Sequence, residues 1–280
     1  MRALVPARLG GPVSAEILRE HTGTIEKLLS PLLKLAENSD SIIAGSVGEF
    51  EAGEEIFHIP RFIFMGPKGG GDTIRLAVFA TICGDEPQGA KAIASFFQQL
   101  ESNPGPASGY HIYAYPICNP SGLAADTRHN AAGQDLAAHL WRGSNQPEAY
   151  YLEREMGVHL FQGVISLGGT DDDQPRFLFS GGRNSILRAA LASAAMPAAR
   201  LFLADAPPEN AVSSAVFREQ QVSQATGFLT GTNELRPVPF EINFEIPRQA
   251  PEQTQIVWMA NALKSILDSY RTVLAIRQNI

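Results

Sequence analysis

The strongest pattern along the chain is the nearly unbroken apolar run IRLAVFATIC at 74–83. It predicts a strand covered on both faces at the centre of a sheet. The run stops at Gly84-Asp85-Glu86-Pro87. Residues 89–101 (GAKAIASFFQQLE) then repeat at helical spacing behind a proline suited to a first helical turn. Residues 110–117 (YHIYAYPI) predict another strand, as do 163–167 (GVISL), 176–179 (RFLF), 199–204 (ARLFLA) and the alternating 237–246 (PVPFEINFEI). Upstream, residues 13–38 place Ile17, Ile25, Leu28, Leu29, Leu32, Leu33 and Leu35 on one helical face, which Pro31 should end or kink. Residues 55–65 are β-rich, and GPKGGGD at 66–72 reads as a loop. Further helices are expected at 147–161, 183–195 and about 252–275, with a helical or irregular region at 206–230.

Strands alternating with helices from residue 74 onward predict an α/β fold, a mixed central β-sheet with helices on both faces. An N-terminal helical segment, 1–50, is expected to pack on the α/β domain formed by 51–280. The stretch 119–146 is polar, rich in Gly, Ala and Asn, and has little strand pattern. A loop of that length inside an α/β domain usually serves function.

The chain's 280 residues are 44% hydrophobic and 18% charged, which excludes disorder, collagen and coiled coil. A net charge of −7 and the lack of any Lys/Arg cluster exclude a sequence-independent grip on phosphate backbones, so no nucleic-acid partner is expected. Two cysteines, Cys83 and Cys118, cannot make a disulfide framework and read as reduced thiols. The amino terminus lacks an apolar signal-like core, and no run is long enough to span a bilayer. The expected setting is cytoplasmic, away from membranes.

Open α/β sheets bind ligands beyond the carboxyl ends of their strands. There the sequence places Cys83-Gly-Asp85-Glu86-Pro-Gln-Gly89, then Asn119-Pro-Ser-Gly122 with Thr127-Arg128-His129-Asn130 and Asp135-Leu136, then Gly168-Gly169-Thr170 with Asp171, Asp172 and Asp173, and finally Glu245. In this order and spacing the succession resembles the zinc carboxypeptidase superfamily, with its succinylglutamate desuccinylase-like and bacterial metallopeptidase branches. The resemblance runs over roughly residues 50–275. It implies a zinc carboxypeptidase-like sandwich, a metal site whose first two ligands fall at Cys83 and Glu86, and Glu245 as the acid that activates water. It also implies Arg128 as the group that polarises the scissile carbonyl, and a substrate subsite of Arg128, Asn130 and Asp135.

The departures from the family pattern are specific. Cys83 stands where the family has a zinc His, Gly168 stands at the third ligand, and Ala137 and Ala138 replace the Asn and Arg of the carboxylate clamp. A catalytic zinc needs three protein ligands and an open position. Thiolate is a good ligand, but glycine offers no donor, so the expected zinc site is weak unless Asp171 or a neighbouring acid swings in.

Plainer readings stand beside these. Cys83 can be a buried strand-end thiol, Glu86 a first-turn helix acid, and Arg128 a loop pin paired with Asp126 or Asp135. His129, His139 and His159 occupy no ligand position of the family and read as loop or helix histidines; His58 and His111 read as structural. GPKGGGD lacks the ending of a phosphate loop. Three functions follow. The leading one is an impaired carboxypeptidase relative that binds a small polar ligand or peptide through Glu86, Arg128 and Glu245. The alternative is a metal-dependent amide hydrolase with remodelled ligands, Cys83, Glu86 and one Asp of 171–173. The last is a metal-free enzyme with Cys83 as nucleophile.

Overall fold

In the computed structural model the apolar run at 74–83 lies at the middle of an eight-stranded sheet. The structure describes residues 16–19, 23–173, 175–180, 217–219 and 239–278. The elements expected at 183–195 and 199–204 lie outside the described residues, as does most of 206–230. In chain order the elements are α1 (Gly23–Glu37), β1 (Ile42–Ala52), β2 (Glu55–Met65), β3 (Ile74–Phe79), α2 (Gln88–Ser102), β4 (Tyr110–Tyr115), α3 (Pro120–Ala124) and α4 (Leu136–His139). There follow α5 (Pro147–His159), β5 (Gly163–Thr170), β6 (Arg176–Ser180), β7 (Phe217–Glu219), β8 (Phe240–Pro247) and α6 (Glu252–Gln278). The sheet order is β1-β2-β4-β3-β5-β8-β6-β7. Its central strands β4, β3, β5 and β8 are parallel, while β1, β2 and β6 join antiparallel.

Strand alternation sends neighbouring side chains to opposite faces. From β4, Tyr110 points to α6, where its hydroxyl donates to the Leu267 carbonyl at 2.7 Å. Tyr113 and Tyr115 point the other way, to α5. There Tyr113 packs on His159, and the Tyr115 hydroxyl donates to Glu155 at 2.8 Å. Phe64 of β2 meets Phe97 of α2 edge-on, and α2 packs along α6. Helices therefore cover both faces of the sheet. On the α5 face the buried Glu155 also takes Arg61 at 2.8 Å and His159 at 3.3 Å.

Two features narrow or correct the sequence expectation. Of the two outcomes expected at Pro31, the helix does not end there: α1 runs on through it, because Leu28, Leu29, Leu32 and Leu33 around it are all buried and their packing outweighs the lost backbone hydrogen bond. The boundary expected between residues 50 and 51 falls inside β1, which pairs with β2 along its length. That strand escapes a period-two reading because its register shifts between Ser46 and Glu49. Gly48 lies in this irregular stretch, where a Cβ would stand 2.1 Å from the Tyr151 ring. Among the described residues no helix is long and apolar enough to cross a membrane.

Candidate functional site

β3 leaves the ladder at Phe79, and two residues later Thr81 takes a left-handed backbone (φ 51°). A β-branched residue rarely adopts that conformation, and such outliers concentrate where a chain is held for a purpose. Here the kink turns Cys83, Asp85 and Glu86 over the carboxyl end of the sheet. Gly84 makes this possible. Its N–H donates to the Arg128 carbonyl at 3.2 Å, and a Cβ on it would lie 2.2 Å from the Gly122 carbonyl carbon. Asn119 ties the segments together. Its Oδ1 accepts from Gly122 N at 2.9 Å, and its Nδ2 donates to the carbonyls of Ile82 and Arg128, both at 3.2 Å.

The donor atoms of Cys83, Asp85 and Glu86 lie within 4.8 Å of one another. Burial and the charge of Glu86 push the Cys83 thiol up to about 12, so it is a thiol at neutral pH. Both oxygens of Glu86 are engaged. Oε2 accepts from Gly169 N at 2.9 Å, and Oε1 is ion-paired with Arg248. Burial raises the Glu86 pKa, with the Gly169 N–H and Arg248 opposing it.

The parallel pairing of β5 with β8 sets Gly168 beside Glu245 and Gly169 beside Ile246. Glu245 lies on the face of Asn243 and Ser166. The Ser166 hydroxyl donates to Asn243 Oδ1 at 3.0 Å, and Asn243 Nδ2 donates to Glu245 at 3.0 Å. Burial raises the Glu245 pKa, Arg176 at 3.9 Å and Asn243 counter it, and the nearby Glu86 adds to it. Its carboxyl and that of Glu86 thus belong to one electrostatic site.

Arg128 reaches the same site from the long loop. It pairs with Asp135 at 3.2 Å, and Asp135 also caps α4 by accepting from Ala137 N at 3.1 Å. Asn130 lies beneath the loop, its amide donating to Gln146 at 2.8 Å and Glu148 at 3.3 Å. The acidic triplet is strapped to the end of β8 and the start of β6. Asp171 meets Arg248 at 3.3 Å, Asp172 pairs with Arg176, and Asp173 accepts from Gln249 at 3.2 Å. Of the acids near Cys83 and Glu86, Asp85 is the one that completes the donor cluster; Asp171, 88% exposed, faces Arg248 instead. His139 bonds Gln134 and Ser144, and His159 belongs to the Glu155 cluster on the sheet's face.

The structure thus brings Cys83, Glu86, Gly168 and Glu245 together, with Arg128 close enough to influence Cys83. It adds Arg248 and Asp85, neither of which was assigned a role from the sequence. For Arg248 the available signal was its place three residues beyond Glu245, directly after the strand that carries that acid.

These residues do not fit a catalytic zinc. Its second ligand, Glu86, already holds a guanidinium and a backbone N–H, and its third position is a glycine with no side-chain donor. Cys83, Asp85 and Glu86 are the one such donor group among the described residues.

No family model matches the chain, and no curated protein matches it. Solved structures do. The chain is similar to a candidate metallopeptidase from Shewanella amazonensis at 18% identity and TM-score 0.62, over 92% of this chain and 97% of that one. It is similar to a metallo-carboxypeptidase from Burkholderia cenocepacia at 14% identity and TM-score 0.65, over 90% and 70%. A metallo-carboxypeptidase from Pseudomonas aeruginosa, in complex with (2-guanidinoethylmercapto)succinic acid, aligns at 16% identity and TM-score 0.59, over 88% and 68%. The fold is therefore that of the metallo-carboxypeptidases. At these identities the likeness is one of fold, and activity has to be argued from the site.

Proposed function

We propose that this chain keeps the cleft of a metallo-carboxypeptidase as a binding site for a small polar ligand or peptide and does not run a zinc-dependent hydrolytic cycle. The observation that carries this reading is the glycine at 168, set beside Glu245 and facing a Glu86 whose two oxygens are already bonded. The polar groups left for a ligand are Arg128, half-exposed at the rim, and the Glu245 carboxyl, raised by burial and oriented by Asn243. Alanines at 137 and 138 remove the bidentate grip that would select a free chain end.

The clustering of Cys83, Asp85 and Glu86 favours a second reading, an amide hydrolase with a remodelled metal site. Elemental analysis separates the two, using protein purified without chelator, reloaded with zinc and dialysed, alongside Cys83→Ala and Glu86→Ala. The expected result is no retained zinc in any of the three. Near one zinc per chain in the wild type, lost in both variants, overturns the binding-site reading. Thermal-shift screening against amino acids, dipeptides and N-acyl amino acids should then find a ligand whose shift disappears in Arg128→Ala. At a hundred times its Kd, such a ligand stabilises the fold by about 2.7 kcal/mol.

A further inference from the structure

We propose that Arg248 is a built-in cation that occupies the place of the metal and keeps divalent ions out of the cleft. This rests on the metal-free reading above and names the group responsible for it. Arg248 directly follows β8, and its N–H donates to the Thr170 carbonyl at 2.9 Å, extending the pairing with β5 by one residue. Gln255 of α6 holds its carbonyl at 3.1 Å. Anchored on both sides, the side chain turns back over Gly169. A Cβ on Gly169 would stand 2.7 Å from Arg248 Cγ and 2.9 Å from Nε, so the missing side chain there is the channel through which the arginine stem passes. The guanidinium then lands on Glu86, the residue at the second ligand position.

Gly168 completes the exchange. A Cβ built there would lie 3.5 Å from Glu86 Oε2, an ordinary contact that points at the same carboxylate. The position has room for a ligand side chain and carries none, while Arg248 supplies the positive charge. Arg248 pairs with both Glu86 and Asp171, so its charge offsets two of the acids gathered there, while Arg176 stands near Glu245. A guanidinium stays charged at every accessible pH and cannot be chelated away. An incoming divalent ion must displace it from Glu86 and then sit beside it.

The test is zinc affinity, measured by competition with a chromogenic chelator and by elemental analysis. It compares the wild type with Gly168→His, Gly168→His/Arg248→Met and Gly168→His/Gly169→Ala. Methionine keeps most of the arginine stem without its charge, and Gly169→Ala pushes that stem away from Glu86 without removing the arginine from the chain. Circular dichroism and melting curves establish that each variant is folded. Should Arg248→Met not fold, Arg248→Gln takes its place. Gly168→His alone is expected to bind zinc poorly, and both double variants to bind it tighter by on the order of 10- to 100-fold. If Gly168→His alone binds as tightly as the doubles, or if neither double binds, Arg248 does not hold the metal's place and the proposal is overturned, with the binding-site reading intact. Stoichiometric zinc in the wild type, lost in Glu86→Ala, overturns both.

Discussion

Replacing Asn130 by alanine tests whether this residue holds the long loop or touches a ligand. Its side chain is buried and makes four hydrogen bonds. Nδ2 donates to Gln146 Oε1 and to Glu148 Oε2, and Oδ1 accepts from Ala132 N and Gln134 N. The two backbone donors lie in the more accessible part of the loop and can turn to water, at about 0.5 kcal/mol each. The two acceptors behind it are buried, Glu148 only 1% exposed, and an unpaired buried acceptor costs about 1–3 kcal/mol. Ser121, which donates to the other oxygen of Glu148 at 3.0 Å, softens the loss. With Glu148 discounted for its bond to Ser121, the two donors and the one acceptor left in full, Gln146, give a loss of about 2–4 kcal/mol for Asn130→Ala. Urea unfolding should show a lower midpoint at unchanged slope. Asn130→Asp should be as damaging at neutral pH, since it sets a second carboxylate against Glu148, and should recover on acidification. A stability change below about 0.5 kcal/mol, within the range of ordinary surface substitutions, combined with lost ligand binding, would refute this reasoning and make Asn130 a ligand contact.

Three further outcomes are expected. Gly84→Ala places a methyl against the backbone of Gly122, Leu123 and Thr127, so it should cost about 1–3 kcal/mol as overpacking and also weaken ligand binding, because the turn that carries Cys83 and Glu86 has to shift; an unchanged melting temperature would contradict it. Burial acts to raise the Glu155 pKa, but His159, Arg61 and Tyr115 together outweigh it and hold the folded value below the ordinary carboxylate range. Its stabilisation is therefore complete above the unfolded value and lost as pH falls through the folded one, so the gap between wild type and Glu155→Gln, about 3 kcal/mol at pH 7, should close in acid; a pH-independent gap would count against this. With its thiol pushed up to about 12, Cys83 should react with iodoacetamide at pH 8 far more slowly than a free thiol, and buried Cys118 should not react until the chain unfolds. Rapid labelling of one thiol in the native protein would show Cys83 to be an activated nucleophile.

Arginine 128 shows how two readings of one residue can both describe its place. It pairs with Asp135, as the loop-pin reading expects, and it stands half-exposed beside Cys83, as a ligand-binding role requires. Strand β1 was illegible for a physical reason. Its bulge breaks the alternation that identifies a half-buried strand, and the ring that packs on Gly48 comes from Tyr151, about a hundred residues along the chain. Asp85 stood in plain view beside Glu86, but sequence position does not tell which acid turns toward Cys83.

By itself the sequence determined the alternation of strands and helices, the strand ends where chemistry gathers, and the residues found there: Cys83, Glu86, Gly168 and Glu245. These are local properties, because an apolar run and the residue that stops it are neighbours on the chain. Tertiary structure alone decided what Glu86 does. Its partner Arg248 lies 162 residues away, and the two meet only because β5 and β8 pair in one register and Gly169 leaves a path for the arginine stem. Such a contact depends on strand order and on a missing side chain, and neither leaves a periodic trace in the sequence.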